Sequence, residues 1–115
     1  SLEEEANEFV QYYLRQRGVS LKTEPVVINK YEFDIYGTNG FVTIVGEVKT
    51  RVGSRVVKRI SERIDEASKR YPERFPGRVI KVIYCLRISP EALEEANKLG
   101  IWIIESGREK NQLII

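Results

Sequence analysis

The chain of 115 residues has no histidine, no methionine, one cysteine and one tryptophan. Each shortage closes a route. Without histidine, no imidazole serves as general base or metal ligand within this chain. A single cysteine makes no internal disulfide. Cys85, set in the apolar run Val82-Ile83-Tyr84-Cys85-Leu86, reads as a buried, inert thiol. A bound metal is left to oxygen ligands, which favour Mg²⁺ or Mn²⁺ over Zn²⁺. No apolar run approaches a membrane span and no stretch reads as a signal peptide. A cytoplasmic protein with no membrane partner is expected. The first residue is Ser1, not Met, as in a piece of a larger chain.

What remains is ample for one globular domain over residues 1–115: 42% of residues are hydrophobic and 31% charged. Abundant Arg, Lys, Glu, Ile and Val beside few labile residues point towards a thermophile. The net charge of +2 is unevenly spread. Residues 50–81 hold ten Lys/Arg against four Asp/Glu, whereas residues 1–49 hold five against eight. A local positive field suits a polyanion, although basic helices are also often simply solvated.

Leu2 to about Arg17 shows an apolar stripe at helical spacing, ended by Gly18. Val19 to Ile28 reads as a strand made irregular by Pro25, and Asn29-Lys30 as a turn. Tyr31–Tyr36 and Phe41–Thr50 form a hairpin around Gly37-Thr38-Asn39-Gly40. Alternation puts Tyr31, Phe33 and Ile35 on one face, with Glu32, Asp34 and Tyr36 on the other. Thr43, Val45, Glu47 and Lys49 share a face in the partner strand. Asp34 and the Glu47/Lys49 pair then converge, provided the register does not slip.

A helix follows, with Ser54 as N-cap and a core stripe of Val56, Val57, Ile60, Ile64, Ala67 and Tyr71. Arg55, Arg59, Arg63 and Arg70 run along its flank. Val79–Ile88 reads as a buried strand. Ser89 and Pro90 start a short helix with Ala92, Leu93, Ala96 and Leu99 inward, closed by Gly100. Ile101–Ile104 forms a last buried strand, and Leu113–Ile115 an added edge strand. The order α-β-β-β-α-β-α-β predicts a mixed α/β sheet with helices on both faces.

Two acids and a lysine on adjoining strands are the minimum set for holding a divalent cation and activating a water. The bland alternative is a cross-strand ion pair from Lys49 to Asp34 or Glu47, worth ~0.2–1 kcal/mol. Against it, aspartate is depleted in strands. The arginines have their own bland alternative, pairing with Glu62 or Glu66 along the helix.

This layout, with Phe33-Asp34-Ile35 on the second strand and Glu47-Val48-Lys49 on the third, resembles the PD-(D/E)XK nuclease superfamily and its restriction-endonuclease-like fold over nearly the whole chain. Small archaeal domains of unknown function are similar in the run Glu47-Val48-Lys49-Thr50-Arg51-Val52 and in the closing helix and strand. Archaeal Holliday-junction resolvases are a more distant likeness. The resemblance implies a metal-dependent endonuclease, with DNA the expected substrate. Asp34, Glu47 and the carbonyl of Val48 would hold Mg²⁺ or Mn²⁺, and Lys49 would serve the attacking water or the transition state. Arg51, Arg55, Arg59 and Arg63 would contact phosphates. Dimerisation is common among relatives, so a homodimer is a further expectation. Relatives often place another glutamate on the first helix, and here that position is Asn7. A non-cleaving domain that keeps the nuclease fold and binds nucleic acid or protein is therefore the alternative.

Overall fold

The computed structural model describes residues 1–113 and 115. Helix α1 (Leu2–Gln16) opens with a capping box, Ser1 Oγ accepting from Glu4 N–H. Strands β1 (Glu24–Ile28), β2 (Tyr31–Thr38) and β3 (Val42–Val52) follow, then α2 (Ser54–Arg70) and a short 3₁₀ turn (Pro72–Arg74). Strand β4 (Arg78–Ile88), α3 (Pro90–Leu99), β5 (Ile101–Glu105) and β6 (Arg108–Glu109) complete the chain. The six strands lie side by side in chain order. β1, β2 and β3 are antiparallel, β3, β4 and β5 parallel, and β6 antiparallel to β5. The helical crossovers α2 and α3 supply the connections that parallel neighbours require. This is the expected mixed α/β sheet of restriction-endonuclease-like form.

Two cores sandwich the sheet. α1 covers one face, where Ala6, Val10 and Leu14 meet Ile44, Val82, Tyr84, Trp102 and Ile104. α2 and α3 cover the other, where Val57, Ile60, Ile64, Ala92 and Ala96 meet Phe33, Val45, Ile83 and Ile103. Close approach fixes Gly46 as a glycine. A Cβ on Gly46 would lie 1.7 Å from the Val82 carbonyl oxygen on β4, which no side chain tolerates. Trp102 and Cys85 are buried as expected. No helix among the described residues is long and apolar enough to cross a membrane.

Several expectations are corrected. The N-cap of α2 is Gly53, with Ser54 already helical. The first strand begins at Glu24, not Val19, and its register shifts around Pro25, where the missing N–H breaks the ladder. Leu99 is 38% exposed rather than inward, because Gly100 turns the chain immediately after it in the left-handed region, φ 70°. The added edge strand is Arg108–Glu109. Neither Leu113 nor Ile115 is in a strand, and residue 114 lies outside the described residues.

The correction that matters most concerns the hairpin. Tyr31 and Phe33 belong to the α2 side, but Ile35 belongs to the α1 side. The two-residue alternation changes phase between Phe33 and Ile35, at Asp34.

Candidate active site

The phase change has a local cause in the ladder. β2 and β3 pair regularly from Thr38↔Thr43 to Ile35↔Gly46, and the registered pairing ends there. Beyond that point Val48 N–H donates to Asp34 Oδ2 at 2.8 Å. A side-chain carboxylate thus takes the role of a strand neighbour's carbonyl and pairs the Val48 N–H. The Glu47 carboxylate lies close enough to Asp34 for the two charges to interact. The two acids are therefore neighbours across the end of the ladder.

Glu47 is half-buried, and its Oε1 is buried without a hydrogen-bond partner. Burial pushes its pKa up to about 7, and the neighbouring Asp34 charge pushes the same way. Lys49 and Arg63 act in the opposite sense and do not offset those effects. Lys49 forms no ion pair with either acid among the described residues, so the simple cross-strand bridge is absent.

Glu47 and Lys49 open into a cavity of about 260 Å³ shared with Glu32, Phe33, Val56, Arg59, Ile60 and Arg63. Its floor is apolar and its rim charged. Arg59 and Arg63 are one helical turn apart on α2, so they project to the same side. The Arg63 guanidinium also lies over the Tyr31 ring, 5.4 Å from its centre. Neither arginine pairs with Glu62 or Glu66 among the described residues.

The expected arginines divide here. Arg59 and Arg63 line the cavity, Arg51 lines a different one, and Arg55 lines neither. Asp34 does not line it either, since its carboxylate is turned to the β3 backbone. Glu32 also lines the cavity and was not singled out from the sequence. Its place in the alternation beside Asp34 was visible, but nothing in the sequence distinguished it from a solvated strand acid. A larger cavity of about 350 Å³ at the other end of β4 and β5 carries no carboxylate. Two of its amides satisfy each other, Asn111 Nδ2 donating to Asn97 Oδ1 at 2.9 Å.

α1 reaches this site through Asn7, which is buried. Its Nδ2 donates to the Glu3 carbonyl at 2.9 Å and to the Asp34 carbonyl at 3.1 Å. Its Oδ1 is buried with no partner. The helix-one position at which relatives of the resembled superfamily carry an acid therefore stands against Asp34.

A hard divalent cation suits this donor set. Two carboxylates, one with an orphaned oxygen and a raised pKa, are what a cation would relieve. Among the described residues no group of three or more acidic, cysteine or histidine side chains forms a metal cluster. Backbone carbonyl and water oxygens would complete the shell, as Mg²⁺ commonly accepts.

Sheet and helices together define a restriction-endonuclease-like fold. The chain's family model is that of a domain of unknown function, DUF8196, which matches residues 4–113. The chain belongs to that family. No curated protein sequence matches it significantly. Among solved structures it is similar to a repair endonuclease from Pyrococcus abyssi, at 17% identity and a TM-score of 0.60 over 91% of this chain. It is also similar to EndoMS in complex with double-stranded DNA, at 14% identity and a TM-score of 0.56 over 93% of this chain. EndoMS in its apo form matches at 14% identity and a TM-score of 0.55 over 90% of this chain. The chain spans 46%, 46% and 45% of those three structures respectively. At such identities the likeness establishes the fold.

Proposed function

We propose that this domain is a metal-dependent nuclease of the PD-(D/E)XK type that hydrolyses phosphodiester bonds of DNA. The observation that carries the reading is Glu47. It is a half-buried carboxylate with an orphaned oxygen, set beside a second acid and opening into a cation-rimmed cavity. A catalyst that handles phosphate needs this combination, and a solvated strand does not.

Asp34, Glu47 and the Val48 carbonyl are the residues that would hold Mg²⁺ or Mn²⁺. Such a cation supplies positive charge at the scissile phosphate and acidifies a water. Lys49, exposed at the cavity mouth, holds the attacking water or neutralises charge that develops on the phosphate. Arg59 and Arg63 grip the phosphate from α2. The apolar floor of Phe33, Val56 and Ile60 limits water around these charges, which strengthens them. Duplex DNA is the first substrate to test, because one structural neighbour is bound to it.

A second reading is favoured by one specific contact. Asn7 holds the Asp34 backbone with an amide where an acid would add a ligand. On that reading the domain binds nucleic acid without cutting it. The experiment that separates the two incubates labelled duplex, branched and single-stranded DNA with Mg²⁺, with Mn²⁺ and with EDTA. The nuclease reading expects cleavage that needs metal and is lost in Asp34→Ala and Lys49→Ala. Binding without cleavage, unchanged in both variants, rejects it.

A further inference from the structure

The strands that carry the site end in a second basic feature. β3 and β4 run parallel, and their register sets Arg51 directly beside Arg87. Both side chains are exposed. Like charges on neighbouring strands repel, yet neither arginine has an ion-pair partner among the described residues. The acid at the end of β5, Glu105, is engaged elsewhere. Its Oε2 accepts from Ile88 N–H at 2.9 Å and its Oε1 lies 3.6 Å from Lys110 Nζ.

Arg51 and Arg87 line a cavity of about 330 Å³ with Val52, Gly53, Ile88 and Ser89. Helix α2 starts at this cavity. Its N-cap, Gly53, makes no side-chain capping bond, so the positive end of the helix adds to the two guanidinium charges. The juxtaposed arginines carry the case, and the helix end only reinforces it.

We propose that this cavity binds a phosphate group of a nucleic-acid strand, held between Arg51 and Arg87. Guanidinium forks match phosphate oxygens in pairs. A bound anion also removes the repulsion that the register imposes. A polyanionic strand is favoured over a lone phosphate or a lipid headgroup because Lys49 lies only two residues away on β3. One strand meets both groups, whereas a single anion gains nothing from their adjacency. The inference rests on the nucleic-acid reading given above and extends it to Arg87.

The test uses Arg51→Gln and Arg87→Gln, with DNA binding followed by fluorescence anisotropy in EDTA over a range of salt concentrations. Loss of one phosphate contact lowers the slope of log K against log salt by about 0.9 on duplex or about 0.7 on single strands, and each variant is expected to show it. Inorganic phosphate is expected to shift the Gly53 and Ser54 amide resonances in the wild type and not in either variant. Thermal midpoints without DNA stay level or rise, which excludes misfolding. DNA binding with an unaltered slope in Arg87→Gln overturns the cavity proposal and leaves the nucleic-acid reading standing. Phosphate shifts with no DNA binding by the wild type overturn both, leaving a simple anion site. Binding of anionic lipid vesicles that Arg87→Gln abolishes, with DNA binding intact, assigns the cavity to a headgroup and overturns the proposal.

Discussion

The two faces of the sheet differ in where charge is left unpaired. On the α1 side, most polar groups that enter the core find partners, the Asn7 Oδ1 being an exception. The Tyr84 hydroxyl donates to Glu5, Tyr13 to the Gly107 carbonyl at 2.6 Å, and Trp102 Nε1 to Glu109 at 2.9 Å. On the α2 side, Glu47 keeps an orphaned oxygen, and Lys49, Arg59 and Arg63 surround it without ion-pairing to any described acid. A face that gathers an acid and three cations around one cavity without pairing them is held ready for a ligand. Truncating the α1 core should therefore cost stability alone, and changing the charged groups at the α2-side cavity should cost chemistry alone.

The largest expected effect tests the first half of that contrast. Leu14 is fully buried on the α1 side. Leu14→Ala should cost about 2–5 kcal/mol of unfolding free energy, as measured by urea denaturation. Under conditions where the variant is folded, its cleavage rate should be unchanged. The next effect tests the second half. Lys49→Ala should slow cleavage by about 100- to 1,000-fold, comparable to removing one charge-stabilising donor from an active site. Because Lys49 is exposed and has no ion-pair partner among the described residues, the variant's thermal midpoint should not move. A Lys49→Ala variant that loses stability along with activity would break the contrast.

How much of this was legible beforehand follows from the range of each signal. The α2 stripe at Val57, Ile60, Ile64 and Ala67 repeats with the helix and survives any tertiary context. The Ser89-Pro90 start and Gly100 stop of α3 are equally local. That Asp34 lies beside the Glu47-Val48-Lys49 run was legible because a short hairpin joins their strands. The phase change at Asp34 was not, since a period of two has no term for a ladder that ends early. Arg87 was invisible for a different reason. Its meaning comes from Arg51, 36 positions earlier and opposite it in a parallel register, and no local pattern encodes that pairing. Asn7 could be placed on α1, but its contact with the Asp34 carbonyl depends on how that helix packs.

A smaller effect concerns the charge on Glu47. In the fold its pKa is raised from 4.5 to about 7, so the folded state holds the proton more tightly than the unfolded chain. Its contribution to stability is therefore greatest below about pH 4.5 and declines as pH rises towards about 7. Solvent screens a half-buried group, so the decline is about 1 kcal/mol, less than the full shift would give. Gln mimics the protonated carboxyl and does not titrate, so the thermal midpoints of the two proteins should be close at pH 5, and the wild type should fall below Glu47→Gln as pH rises to 8. At pH 8, Mg²⁺ should raise the midpoint of the wild type more than that of Glu47→Gln. Equal responses would mean that Glu47 holds no cation.

The smallest effect sharpens the contrast at the point where the two faces touch. Tyr84 is fully buried on the α1 side, and burial together with the Glu5 carboxylate raises its pKa far above the usual range. Its hydroxyl donates to Glu5. Tyr84→Phe keeps the ring, its stacking on Phe9 at 6.0 Å and the packing of α1. Only the hydrogen bond is lost, and exposed Glu5 regains water, so the cost should be about 1 kcal/mol. Yet Tyr84 is the β4 partner of Val48 in the parallel register, and Val48 donates the N–H that holds Asp34. If the α1 face serves stability alone, Tyr84→Phe should cleave DNA at the wild-type rate with an unchanged Mg²⁺ requirement. A raised Mg²⁺ requirement at full stability would instead show that the β3 backbone relays packing on the sealed face to the acids on the open one.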